Sequence, residues 1–147
     1  MKTIVALVDF SDVALKVLRE VQTLALAFKS HVTMLHGISE KKTVIDVGIA
    51  SPEVSRKLTA EEVRADKARL EKLTEPLRLS GIDVSLKQFD DASVEHIVEV
   101  VLKMETDLIV VGSHQHNAFY NLIIGSVNDQ ILKRAKCSVL VVSADKK

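Results

Sequence analysis

Nine residues separate Gln115 from Gly125, and the two sides of that gap carry the residues best suited to chemistry. On the first side, Asp107-Leu108-Ile109-Val110-Val111-Gly112-Ser113-His114-Gln115 reads as a buried strand that ends in a loop. On the second, Gly125-Ser126-Val127 opens an amphipathic helix. The first N–H groups of a helix lack intrahelical partners and sit at the positive end of its dipole, so a glycine and a hydroxyl there suit an anion. The chemistry this arrangement predicts is a phosphate cradle.

Other chemistries lack their residues. There is no Gly-x-x-x-x-Gly-Lys-Ser/Thr loop, no Gly-x-Gly-x-x-Gly after the first strand, and no Gly-x-Ser-x-Gly elbow. A fast enzyme needs a positioned base and charge stabilisation, and the sequence supplies candidates for neither. The expectation is a binding protein with no catalytic residues. His114 and His116 alternate on a loop without the third and fourth ligands of a zinc site, so no metal site is expected. His36 and His96 read as packing or surface residues, and Cys137, before a buried strand, as a small core hydrophobe.

The elements that must position the cradle follow from periodicity. Thr3–Val8 is a short apolar run rich in β-branched residues, and Asp9-Phe10-Ser11-Asp12 after it supplies helix-start chemistry. From Val13 to Phe28 the apolar residues recur at helical spacing. His31–Ile38 is a second strand and Asp83–Phe89 a third. Between them lies a charged helix from a Thr59-x-x-Glu62 capping box to Leu79, stopped by Gly81. Ser93–Met104 is a helix leading into the strand Leu108–Val111, Gly125–Ala135 is the last helix, and Ser138–Val142 the last strand. Segment 40–56 reads as a surface connection, with Ser51-Pro52-Glu53 resembling the start of a short helix or flap. Alternating strands and helices with continuously apolar strands imply an α/β, doubly wound, open parallel sheet covered on both faces. In such a sheet the strand order reverses, and ligands bind at the carboxyl ends of strands beside the reversal.

Composition narrows the partners. Lysine and arginine number 20, aspartate and glutamate also 20, which leaves no basic excess for nucleic acid or an anionic membrane. No apolar run reaches the roughly 18 residues that suggest a membrane span. One cysteine cannot form an internal disulfide, and Met1-Lys2 leads straight into a strand, which favours a reducing, cytoplasmic setting. At 147 residues with 47% apolar content, a single domain spanning 1–147 is expected.

These residues resemble the universal stress protein family over nearly the whole chain. The family's Gly-x-x-Gly-x9-Gly-Ser/Thr pattern is similar to the frame Gly112, Gln115, Gly125-Ser126; Val8-Asp9-Phe10-Ser11 resembles its acidic corner after the first strand. Leu35-His36-Gly37-Ile38 is similar to its second-strand ending, and Ala135-Lys136-Cys137-Ser138 to the approach to its last strand. The resemblance implies a Rossmann-like, five-stranded sheet of order 3-2-1-4-5 and an adenine nucleotide, ATP or AMP, between strands 1 and 4. It assigns Val8, Asp9 and Gly37 to the adenosine side. Val111, Gly112, Ser113, His114, Gln115, Gly125, Ser126 and Val127 fall on the ribose and phosphates, with magnesium accompanying ATP. It also implies a homodimer through the Ser138–Val142 edge strand and a protein partner of unknown identity in a stress response.

Two readings stay open. Asp9 either orients an adenosine hydroxyl or caps the first helix, and Ser126 either begins a phosphate site or forms a plain Ser-x-x-Asp cap. Gln115 stands where the family has a glycine, and a Cβ in a left-handed conformation costs about 1–2 kcal/mol. That weakens a micromolar site roughly tenfold, while the glutamine amide can donate to a phosphate oxygen in return. The alternative function is therefore a nucleotide-free dimer acting through protein–protein contacts.

Overall fold

The fold is taken from a computed structural model, which describes residues 1–38, 41–44, 48, 53–90, 93–113 and 128–144. In chain order the elements are β1 (Thr3–Leu7), α1 (Ala14–Phe28), β2 (His31–Gly37), β3 (Lys41–Val44), β4 (Glu53–Arg56), α2 (Ala60–Leu79), β5 (Val84–Phe89), α3 (Val94–Lys103), β6 (Leu108–Ser113), a helix α4 over 128–134, and β7 (Ser138–Ser143). Five strands form a parallel sheet in the order β5-β2-β1-β6-β7, which is 3-2-1-4-5 among the sheet's own strands. The sequence of connections reverses between β1 and β6.

Strand periodicity divides the core into two layers. On β1, Ile4 and Ala6, with Val8 just beyond the strand, join one cluster while Val5 joins the other; on β6, Leu108 and Val110 face one layer and Ile109 and Val111 the other. The first layer is closed by Val13, Val17, Leu18 and Val21 of the α1 segment together with Leu70 and Leu77 of α2. The second is closed by Ile97, Val98 and Val101 of α3 and Ile131 of α4. Both faces are thus covered, which is why the strands are apolar on both sides. Leu70 is fully enclosed, and truncating such a residue to alanine typically costs about 2–5 kcal/mol.

Helix boundaries follow their caps. Thr59 Oγ1 accepts from Glu62 N at 3.2 Å and Glu62 Oε2 accepts from Thr59 N at 2.9 Å, the reciprocal box expected from the sequence. Both Glu62 oxygens also take Arg56 guanidinium protons at 2.8 Å, tying the end of β4 to the start of α2. Gly81, at φ 84°, follows the helix as expected. Ser93 caps α3 through His96 N at 3.3 Å.

Two expectations are corrected. Glu53 does not begin a short helix; it is the first residue of β4, opposite Val44 in an antiparallel pair with β3. The β-branched Thr43, Val44 and Val54 favour extended backbone, and a four-residue helix lacks enough hydrogen bonds to offset its nucleation. The second correction concerns the start of α1. Asp9-Phe10-Ser11-Asp12 was expected to cap it, yet the helix begins at Ala14 after Val13 with no side-chain cap. Ser11 supplies its carbonyl to Ala14 N at 3.2 Å instead.

Candidate functional site

The reversal of strand order brings the ends of β1 and β6 side by side. Ala6 is opposite Val110 across the β1–β6 ladder, and Leu7 is opposite Leu35 across β1–β2. Val8 extends that ladder by donating its N–H to the Leu35 carbonyl at 2.9 Å, and Ile38 does the same from beyond β2 to Phe89 at 2.8 Å. Val8, Asp9, Gly37, Val111, Gly112 and Ser113 therefore all lie at the carboxyl edge of three adjacent strands, where open α/β sheets bind ligands.

Asp9 is half-buried and organises its own turn. Its Oδ1 accepts the Ser11 N–H at 3.1 Å and also the Ser11 hydroxyl. An aspartate bonding the backbone two residues on makes an Asx turn, which presents the carboxylate at the strand exit while α1 starts five residues later. The cap reading of Asp9 is thereby replaced by a turn-forming one.

Gly112 has a packing requirement of its own. A Cβ there would sit 3.0 Å from Val13 Cγ1 and 3.4 Å from Val17 Cγ2, so α1 occupies the space a side chain needs. Its φ is not positive, since the only positive-φ glycines among the described residues are Gly48 and Gly81. The Gly112 carbonyl accepts from Asn128 Nδ2 at 3.2 Å, and Asn128 is itself buried. The Ser113 carbonyl accepts from Ala144 N at 3.1 Å, which continues the β6–β7 ladder. His114, Gln115, Gly125, Ser126 and Val127 lie outside the described residues.

Beneath Asp9 sits a group the sequence assigned to packing or the surface. His36 is 6% exposed, its Nδ1 lies 3.0 Å from the Val8 carbonyl, and its Nε2 lies 3.9 Å from Asp66 Oδ2 on α2. Its ring centroid is 4.8 Å from that of Phe10, and the Arg69 guanidinium lies 4.1 Å over the other aromatic ring, that of Phe10. The available signal was a polar residue inside an apolar strand, because a buried polar group must find a partner. Asn128 was missed as a bonding residue for want of any comparable signal. Among the described residues no three His, Cys, Asp or Glu side chains gather to hold a metal ion, and no helix is long and apolar enough to cross a membrane. Cys137 is partly buried, and burial, with the charge of Asp107, pushes its thiol up from the ordinary value.

The fold is that of an open, doubly wound α/β protein whose strand order reverses between β1 and β6. The chain belongs to the universal stress protein family, whose sequence model matches residues 1–143. It is 28% identical over 146 residues to universal stress protein MJ0531 of Methanocaldococcus jannaschii, covering 99% of this chain and 84% of that protein. Its fold matches that of a universal stress protein in complex with cAMP at a TM-score of 0.67, with 20% identity and 97% and 96% of the two chains covered. The universal stress protein from Archaeoglobus fulgidus in complex with dAMP matches at 0.65, with 20% identity and 97% and 98% covered.

Proposed function

We propose that this chain binds an adenine nucleotide, AMP or ATP, in the crevice between β1 and β6, and that occupancy biases its conformation or its protein partners. The observation that carries the reading is the adjacency of β1 and β6 at the reversal of strand order, with Asp9 leaving one strand and Gly112 ending the other. The cAMP and dAMP of the two similar structures support the adenine class. In this reading Asp9 and the backbone of Val8 and Gly37 meet the adenosine. The backbone of Val111, Gly112 and Ser113, with His114, Gln115, Gly125, Ser126 and Val127, meets the ribose and phosphates, and magnesium accompanies ATP. The protein acts in the cytoplasm as a sensor and not as a rapid catalyst.

A homodimer is part of the same proposal. Among the described residues β7 ends the sheet order and pairs with β6 alone, and Val141 on it is 36% exposed, so the edge offers backbone groups and apolar surface to a second copy.

The test is to denature the purified protein, chromatograph the released small molecules, and titrate the stripped protein with AMP and ATP by calorimetry. A bound adenine nucleotide or micromolar binding, lost in Gly125→Trp with the fold retained, is the expected result. No released nucleotide and no heat up to millimolar ATP overturns nucleotide binding and leaves the β7 interface as the function.

A further inference from the structure

The two residues that flank Asp9 are both held by one buried side chain. His36 Nδ1 bonds the carbonyl of Val8, and the His36 ring packs against Phe10 at an interplanar angle of 48°. A carbonyl only accepts, so Nδ1 carries the proton and donates. Helix α2 braces the arrangement from the far side, with Asp66 Oδ2 3.9 Å from His36 Nε2 and Arg69 over Phe10. The Asp9 carboxylate accepts the Ser11 N–H and hydroxyl. A strand exit is ordinarily a place where backbone direction is loose, yet this one is fixed from both sides of the carboxylate by a ring buried in the first core layer.

We infer that His36 is a positioning residue that sets the direction of the Asp9 carboxylate at the crevice, by gripping the Val8 carbonyl and the Phe10 ring together. For nucleotide affinity the inference rests on the reading of the crevice given above. For the geometry of Asp9 it stands alone, so two readouts are needed.

The variants are His36→Leu, which keeps bulk and removes the donor, and His36→Asn, whose amide can place a donor where Nδ1–H stood. In the ligand-free protein, hydrogen exchange at the Ser11 N–H, which Asp9 accepts, is expected to quicken about tenfold in His36→Leu and to return toward the parent rate in His36→Asn. Titrated with AMP, His36→Leu is expected to bind about tenfold more weakly, again with recovery in His36→Asn. Unchanged Ser11 exchange in a folded His36→Leu overturns the inference. If the parent protein fails to bind AMP, the nucleotide reading falls and Ser11 exchange alone decides the role of His36. Should His36→Leu not fold, the ¹⁵N signals of the parent's ring decide. A protonated Nδ1 supports the inference, and a neutral ring with its proton on Nε2 overturns it.

Discussion

Asn128 donates its side-chain amide to the carbonyl of Gly112 at 3.2 Å, joining helix α4 to the exit of β6 across 16 positions of chain. This bond joins the residues on either side of segment 114–127, which holds most of the proposed phosphate-binding residues. Removing the donor in Asn128→Ala is expected to cost about 1 kcal/mol, because the half-buried Gly112 carbonyl loses its side-chain partner. Asn128→Asp should cost more, since an ionised carboxylate cannot donate and sets a negative charge against the carbonyl oxygen. Urea midpoints at neutral pH give the comparison, and an Asp variant as stable as the parent would contradict it.

Gly112 is expected to resist substitution for reasons of packing. In Gly112→Ala the new methyl meets Val13 Cγ1 at 3.0 Å, and overpacking of this kind costs about 1–3 kcal/mol. Trimming the neighbour should relieve it, so the cost of Gly112→Ala measured in a Val13→Ala background is smaller. Equal costs in the two backgrounds would show that α1 is not what excludes the side chain.

At the opposite end of β1, Asp107 Oδ2 accepts the N–H of Lys2 at 2.6 Å, the N–H of Thr3 at 3.0 Å and the Thr3 hydroxyl at 3.3 Å. The Lys2 bond first, then those of Thr3, hold this carboxyl below the ordinary carboxylate range. A depressed folded value means that the group stabilises the fold above its unfolded pKa and that this contribution is lost as pH falls through the folded value. Asp107→Asn should therefore be less stable than the parent at neutral pH, and the gap should close progressively below about pH 4. A gap independent of pH between neutrality and strong acid would remove the assignment.

The exposed β7 edge predicts a homodimer at micromolar concentration and a monomer in Val141→Lys, read by light scattering. A monomeric parent, or a dimer indifferent to the lysine, argues against pairing through this strand.

The sequence was sufficient wherever the determinant is local. The Thr59–Glu62 box, the stop at Gly81 and the alternation of apolar strands with amphipathic helices all depend on residues within a few positions of one another, and each is found where the pattern puts it. The parallel α/β class follows from the same patterns, because strands apolar on both faces need helices on both sides. The β3–β4 hairpin escaped because four-residue strands carry almost no periodicity and their pairing is what defines them. The family resemblance carried the strand order and the candidate site, including the juxtaposition of Asp9 and Gly112.

Tertiary structure decided what each of those residues touches. Gly112 reads as a loop glycine in the sequence, but its missing Cβ is accounted for by Val13 and Val17, some hundred positions earlier in the chain and brought there only by the packing of α1. His36 reads as an isolated polar residue in a strand, and its partners come from two other parts of the chain, Val8 and Phe10 from the exit of β1 and Asp66 from α2. Side-chain type and spacing determine which element forms and which face it buries, since those depend on neighbours along the backbone. The donor, acceptor or void that a buried residue meets depends on elements distant in sequence, and only the assembled sheet and its helices bring them within bonding distance.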